Sequence, residues 1–256
     1  MRLALFLVAL LAAQDQRSPG YAAYKKANEL FVAKRIPEAI QSLQQSLKQD
    51  EKLIPALTLY AKIAMTMNRF ELAKDSLERA LEVDANAAYA RFLYGLNFYL
   101  ANDLPHAQQQ LELARRVNPI DARAALYLGL THESLGHTDQ AMELYRESAR
   151  LDAQVETLLA GARLLYLQNR LDECAQWLRK AVQREPNSRD AHFELARVYL
   201  LQDNPAAAAK EGEQALALKD GTAKDAQIHY LLIRAYRLTN PVKAAQHAEL
   251  IKGLEQ

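Results

Sequence analysis

Small and apolar residues recur along the chain at a fixed spacing. A small residue is usually followed by an apolar one four positions later and by another small one seven positions later. Spacings of four and seven place residues on one face of an α-helix, and small side chains let neighbouring helices pack closely. The pattern therefore predicts one helix that is repeated along the chain. The residues that begin it are Ala39, Ala73, Ala107, Ala141, Cys174, Ala208 and Ala245, and the first six are 34, 34, 34, 33 and 34 residues apart.

A second helix precedes each of these helices. Twelve positions before the leading residue, six units carry another small residue: Ala27, Ala61, Gly95, Gly129, Ala162 and Ala196. Between the two helices lie residues that tolerate the left-handed conformation that ends a helix: Asn68, Asn102, Gly136, Asn169, Asp203 and Asn240. Lys34 takes this place in the first unit. Each unit is therefore predicted to be a helix–turn–helix, and the fold to be all-α.

The period divides the chain into seven predicted repeats. A three-residue insertion around Asp220, Gly221 and Thr222 precedes the last repeat. In that repeat Glu249 and Lys252 stand where the inner repeats have Leu and Ala. We expect a polar terminal repeat there, because no neighbour covers its outer face. The predicted repeats span residues 20–53, 54–87, 88–121, 122–154, 155–188, 189–222 and 226–256.

The pattern resembles that of the tetratricopeptide repeat family, in which helix pairs recur every 34 residues with small, large and proline residues at set positions. The resemblance covers residues 20–256 and implies a right-handed α-solenoid of about seven repeats. It also implies a non-catalytic scaffold that binds a partner protein or peptide in a concave groove. The residues that carry the pattern best are those of the third repeat: Tyr94, Gly95, Phe98, Ala107, Leu111, Ala114 and Pro119.

The resemblance also implies which residues line the groove, since the first helix of each repeat faces it in this family. The alternative is that several of the aromatic residues pack against neighbouring first helices and belong to the core. The candidate partner-binding residues are Tyr24, Phe31, Tyr89, Phe92, Tyr99, Tyr127, Arg163, Tyr166, Phe193, Arg197, Tyr230 and Arg234.

Three of these residues, Arg163, Arg197 and Arg234, occupy the same position in successive repeats. They predict a stripe with one cation per repeat, which favours an extended peptide that carries acidic side chains. The alternative for Arg197 is an ion pair with Glu194, three residues earlier on the same helix. Arg163 and Arg234 have no acidic residue three or four positions away in the sequence.

The charge balance, the cysteine and the histidines bear on which classes of function and site the chain can have. Lys and Arg number 32 against 31 Asp and Glu, a net charge of +1, which argues against a nucleic-acid-binding protein. The single cysteine, Cys174, excludes an intrachain disulfide and is expected to be a small buried residue. His132 and His137 resemble a zinc-binding HExxH motif, but the second histidine comes one residue late. It would therefore leave the helix face that the first occupies, and Gly136 ends the helix before it, so no zinc site is expected. No catalytic residue, metal site or cofactor is predicted.

The first residues of the chain have the pattern of an export signal. Arg2 is followed by an uncharged apolar run, Leu3 to Ala13, and then by polar residues. The run is too short for a membrane span and typical of a secretory signal peptide. The alternative is a short buried helix. We expect a signal peptide at residues 1–13, a linker at 14–19, no later membrane segment, and export to the bacterial periplasm or the medium. A second functional hypothesis is a scaffold that associates with itself.

Overall fold

The structure, a computed structural model, describes residues 18–254. Within this range the chain forms fourteen α-helices and no strand, so the predicted all-α repeat fold is confirmed. The predicted signal peptide and most of the predicted linker lie outside the described residues. The helices are α1 (Tyr21–Val32), α2 (Ile36–Gln49), α3 (Ile54–Thr66), α4 (Phe70–Val83), α5 (Ala88–Leu100), α6 (Leu104–Val117), α7 (Ala122–Ser134), α8 (Thr138–Leu151), α9 (Val155–Leu167), α10 (Leu171–Arg184), α11 (Arg189–Leu201), α12 (Pro205–Ala217), α13 (Asp225–Tyr236) and α14 (Pro241–Leu254).

The chain divides into two compact units. The first ends at His137 and contains α1–α7, and the second begins at Thr138 and contains α8–α14. Within each unit the two helices of a repeat pack together, as α1 does with α2 and α13 with α14. The first helices of successive repeats also contact each other, as α3 does with α5 and α11 with α13. The division falls between α7 and α8, the two helices of the fourth repeat.

The turns inside the repeats follow the sequence prediction in six of seven cases. Asn68, Asn102, Asn169 and Asp203 take φ values of 55° to 60°, Lys34 takes 59° and Gly136 takes 81°. This left-handed conformation reverses the chain and ends the first helix of each pair. Asn240 is the exception. Its side chain instead accepts a hydrogen bond from the backbone N–H of Lys243, at 3.1 Å, and so caps α14.

The core consists of the small and large residues that define the period. Ala39, Ala73, Ala107, Ala141, Cys174 and Ala208 are all buried, and so are their partners Leu43, Leu77, Leu111, Tyr145 and Leu178. The assignment is wrong in the last repeat, where Ala245 is exposed and its neighbour Ala244 packs against the core. The physical reason is that α14 presents a different face to α13, so the register shifts by one residue.

The terminal helix α14 is polar only in part. Glu249 and Lys252 are exposed and form an ion pair at 2.7 Å on its surface. Val242 and Leu250 are also largely exposed on the same helix.

None of the helices in residues 18–254 is both long and apolar enough to cross a membrane.

The insertion before α13 is fixed by two residues at the start of α11. The carboxylate of Asp190 accepts hydrogen bonds from the N–H groups of Thr222 and Ala223, at 2.9 Å each. The buried guanidinium of Arg189 donates to the carbonyl of Ala223 at 2.8 Å, to the carbonyl of Leu218 and to the carboxylate of Asp225. The extra residues are therefore held by specific contacts, and they set where α13 begins.

Candidate protein-binding surface

In the first unit, four of the candidate aromatic residues form one cluster on α5 and α7. The ring centroids of Phe92 and Tyr127 are 5.9 Å apart, those of Tyr99 and Tyr127 are 5.7 Å apart, and those of Tyr89 and Phe92 are 6.4 Å apart. Phe92 is only 4% exposed. Its assignment to the binding surface is therefore wrong, because Tyr89, Tyr127 and Arg123 pack around its ring and place it in the core.

Arg123, at the start of α7, completes this cluster and was not among the predicted residues. Its guanidinium lies 4.9 Å from the centroid of Phe92 and 5.3 Å from that of Tyr89. It also forms an ion pair with Asp121 at 2.7 Å. Although burial opposes ionisation, the hydrogen bond and charge of Arg123 hold the pKa of Asp121 below its usual value. Arg123 holds the same position in the fourth repeat as Tyr89 does in the third, and this shared position could have identified it.

The remaining candidates of the first unit, Tyr24 and Phe31, are half-buried on α1. Both pack against the core formed by α1, α2 and α3. The ammonium of Lys62 lies 5.2 Å from the ring centroid of Phe31, and the rings of Tyr21 and Tyr24 are 5.5 Å apart. Tyr24 and Phe31 thus contribute to the core as well as to the surface.

In the second unit, three successive first helices enclose a pocket, which we call the α9–α11–α13 pocket. Its volume is about 230 Å³. It brings together five of the candidate residues, one or two from each helix. The pocket is lined by Tyr166, Phe193, Arg197, Leu200, Leu201, Gln227, Tyr230, Leu231 and Arg234.

The three arginines of the predicted stripe have different environments. Arg197 is paired with Glu194 at 2.7 Å, and its guanidinium lies 5.0 Å from the ring centroid of Tyr166, so the alternative of an intrahelical ion pair is correct. Arg234 is exposed and makes no ion pair among the described residues. Arg163 is exposed on α9 but does not line the pocket. The pocket therefore contains one arginine whose charge is offset and one whose charge faces solvent.

Exposed aliphatic residues at the ends of the first helices were also missed. Leu167 and Leu201, at the ends of α9 and α11, are 68% and 48% exposed, and Leu201 lines the pocket. Val32 and Leu100 hold the same place at the ends of α1 and α5 in the first unit and are exposed too. The signal that could have identified them is their shared position at the end of the first helix of a repeat.

The environment of Cys174 is that of a small buried residue and not that of a reactive thiol. Cys174 is buried, its thiol donates to the carbonyl of Ala162 at 3.2 Å, and burial above all raises its pKa to about 11. No group of three or more His, Cys, Asp or Glu side chains in residues 18–254 is placed to hold a metal ion. The interpretation of Cys174 as a buried structural residue is confirmed.

His132 and His137 lie beside each other, although Gly136 ends the helix between them. Helix α7 ends at Ser134, and the left-handed turn at Gly136 brings His137 back toward the helix. The Nδ1 atoms of the two rings are 3.3 Å apart. The two rings therefore meet across the turn and not on one face of a helix.

Known proteins similar to this chain share its repeats. Models of the tetratricopeptide repeat match residues 30–93, 95–156 and 159–223. The interferon-induced protein with tetratricopeptide repeats 2 of Mus musculus is 28% identical over 145 residues, which are 55% of this chain and 31% of that protein. The chain thus spans about a third of the length of this curated relative.

Two solved structures have similar folds. PilF of Pseudomonas aeruginosa matches with a TM-score of 0.69 and 23% identity, over 79% of this chain and 93% of that chain. YrrB, described as a tetratricopeptide repeat protein with an unusual peptide-binding site, matches with a TM-score of 0.54 and 19% identity, over 77% of this chain and 98% of that chain. Family models that match most of the residues between 30 and 223, together with fourteen helices in residues 18–254, lead to one conclusion. The chain belongs to the tetratricopeptide repeat family.

Proposed function

We propose that this protein is a non-catalytic scaffold that binds a partner protein or peptide in the α9–α11–α13 pocket. Tetratricopeptide repeat proteins generally mediate protein–protein interactions and are generally not catalysts. The observation that carries the proposal is the composition of the pocket, in which Tyr230 is 53% exposed beside Leu201 and Arg234. Tyrosine and arginine are the residues that most often dominate binding energy at protein interfaces.

The size of the pocket favours a peptide side chain as its occupant. Its volume of about 230 Å³ is below the range of about 300–1,000 Å³ found for sites that enclose small molecules. The peptide-binding site described for YrrB supports the same class of ligand, at the level of a shared fold.

The charge of the pocket favours an acidic partner. Arg197 is already paired with Glu194, so Arg234 is the cation that a carboxylate of the partner meets. Because Arg234 is exposed, we expect this contribution to weaken as the ionic strength rises. We therefore propose an extended peptide with an apolar side chain for Phe193, Leu201 and Tyr230 and an acidic one for Arg234.

A crosslinking pull-down with matched variants tests the proposal. The bait is the chain from Gln14, incubated with native extract, and captured proteins are identified by mass spectrometry. We expect Tyr230→Ala with Arg234→Ala to reduce recovery of the partner at least about tenfold, since hot-spot residues contribute more than about 1 kcal/mol each. Arg179→Ala, an exposed arginine on the second helix α10, is the control and should leave recovery unchanged.

Two outcomes would change the proposal. Equal recovery with the double variant and with the control would contradict binding in this pocket. Recovery of the bait alone, together with light scattering that rises with concentration, would favour the second candidate, a scaffold that associates with itself.

We also propose that the protein acts after export, in the bacterial cell envelope. The support is the basic and apolar pattern of residues 1–13. Cell fractionation of a C-terminally tagged chain, followed by N-terminal sequencing, tests this. We expect the mature chain to begin at Gln14 outside the cytoplasm, and an uncleaved chain in the cytoplasm would contradict export.

A further inference from the structure

The last helix, α14, has few buried apolar side chains to hold it in place. Ile251 is buried, whereas the other side chains described between Pro241 and Gly253 are half-buried or exposed. By contrast, the second helix α10 buries Cys174, Ala175, Leu178 and Ala181. Because burial of apolar surface is the main source of helix packing energy, α14 depends more than α10 does on its polar contacts.

Two sets of polar contacts join α14 to its neighbours. In the first, the ammonium of Lys243 on α14 donates to Glu213 of α12 at 2.8 Å and to the hydroxyl of Tyr236 on α13 at 3.1 Å. In the second, the Nδ1 atoms of His229 on α13 and His247 on α14 are 2.9 Å apart. The ring of His247 is also parallel to that of Tyr236, with centroids 6.0 Å apart.

The hydrogen bond between the two histidines depends on how many protons the imidazole rings carry. At 2.9 Å one Nδ1 must carry a hydrogen and the other must offer a lone pair. A first added proton places a charge on a pair in which His229 is only 6% exposed. A second added proton makes both Nδ1 atoms donors, and two N–H groups then face each other in place of the hydrogen bond.

Charged groups on three helices surround the pair. Asp225 of α13 favours the protonated form of His229, but its carboxylate is already bonded to Arg189 of α11. Glu213 of α12 favours the protonated form of His247, whereas Lys243 of α14 opposes it. Since Glu213 is shared with Lys243 and Tyr236, these groups do not remove the penalty for charging the pair.

We propose that the His229–His247 pair is an acid-sensitive latch, which holds α14 against α13 at neutral pH and releases it on acidification.

The direction of the pH dependence follows from the proton affinities. Burial lowers the pKa of His229, and burial together with His229 lowers the pKa of His247. The released rings therefore bind protons more tightly than the docked ones do. Docking is fully favoured above the ordinary imidazole pKa of about 6.5 and is lost progressively as the pH falls below it.

Glu213 does not account for a change in that interval. Hydrogen bonds from Lys243 and Tyr236 hold its pKa below the usual carboxylate value, so it stays ionised while the imidazoles titrate. A loss of docking between pH 7.5 and 5.5 therefore reports the histidine pair.

Hydrogen–deuterium exchange of the full chain tests the latch without a binding partner. Labelling at pH 7.5 and 5.5, with times scaled to the intrinsic exchange rate, compares α14 with α10 as an internal reference. We expect the protection of α14 to fall about tenfold relative to α10 at pH 5.5, which is one unit below the ordinary imidazole pKa of about 6.5. Docking weakens by up to about tenfold per unit of pH for each ring that the docked state keeps neutral. Each labelling is run with and without EDTA, which removes metal ions that two imidazoles could bind. Loss of α14 protection on adding EDTA at pH 7.5 would overturn the proposal.

Variants identify the titrating groups. His229→Gln with His247→Gln should remove the pH dependence of α14, while His137→Gln, in the first unit, should retain it. The same pH dependence in both variants, or none in the wild type, would overturn the latch. Should the double variant lose α14 protection at pH 7.5 as well, histidine-selective NMR of the wild type decides. Titration of both rings together with the α14 amide signals supports the latch, and titration without a change in those signals overturns it.

Discussion

At the scale of single residues, Arg189 shows how one buried side chain can organise a loop. It is only 3% exposed and donates to the carbonyls of Ala223 and Leu218 and to the carboxylate of Asp225. A buried guanidinium is stable only when its N–H groups donate hydrogen bonds. Here the accepting groups lie 29 to 36 residues away along the chain. No pattern in the sequence pointed to Arg189, because its partners lie in the one irregular insertion of the array.

We predict that Arg189→Ala destabilises the protein by about 3 kcal/mol, because carbonyl groups and a carboxylate lose their donor. The measurement is the midpoint of urea unfolding, followed by circular dichroism. Arg179→Ala, which removes an exposed arginine, should change stability by less than about 0.5 kcal/mol. Equal midpoints for the two variants would show that the clamp on the insertion contributes nothing.

At the scale of helices, close packing of two neighbouring helices depends on small residues that leave space for a large side chain of the other helix. A Cβ atom added to Gly161 on α9 would lie 2.3 Å from Cζ3 and 2.5 Å from Cε3 of Trp177 on α10. Such distances are far shorter than a van der Waals contact, so the indole ring is in place only because residue 161 has no side chain. Trp177 is the single tryptophan of the chain and reports directly on this contact.

Gly161→Ala should therefore displace Trp177 and shift its fluorescence emission to longer wavelength. We expect a net destabilisation of about 1 kcal/mol, since overpacking costs about 1–3 kcal/mol and the gain in helix propensity returns about 1 kcal/mol. Gly253→Ala is the matched control, because an added Cβ there meets no atom within 4 Å. An unchanged emission spectrum for Gly161→Ala would contradict the packing described between α9 and α10.

The helices and turns could be predicted where their causes are local. Asn68, Asn102 and Gly136 mark turns because the residue type itself permits the left-handed conformation. Ala245 was misassigned because burial on the last helix depends on how α14 meets α13, which a repeat pattern does not contain. The position of His137 beside His132 also depends on a non-helical segment, since the turn at Gly136 determines its direction.

At the scale of the whole molecule, the 34-residue period was enough to predict the repeat fold, because the same packing contacts recur in each repeat. The sequence also predicted part of the candidate site, since five of the predicted residues line the α9–α11–α13 pocket. Periodicity assigns a residue to a helix face, but it does not say whether a neighbour covers that face. Phe92 is covered for this reason, and Arg163 lies outside the pocket.

Site-specific photocrosslinking in cells tests the central claim, that the α9–α11–α13 pocket binds a partner protein, most directly. A benzophenone amino acid replaces Leu201 in the pocket or, as the control, the exposed Arg179 on α10. We predict adducts with a foreign protein from position 201 that are absent from position 179, and whose yield falls when Arg234→Ala is added. Adducts of equal yield from both positions, or adducts between copies of this chain alone, would contradict the account.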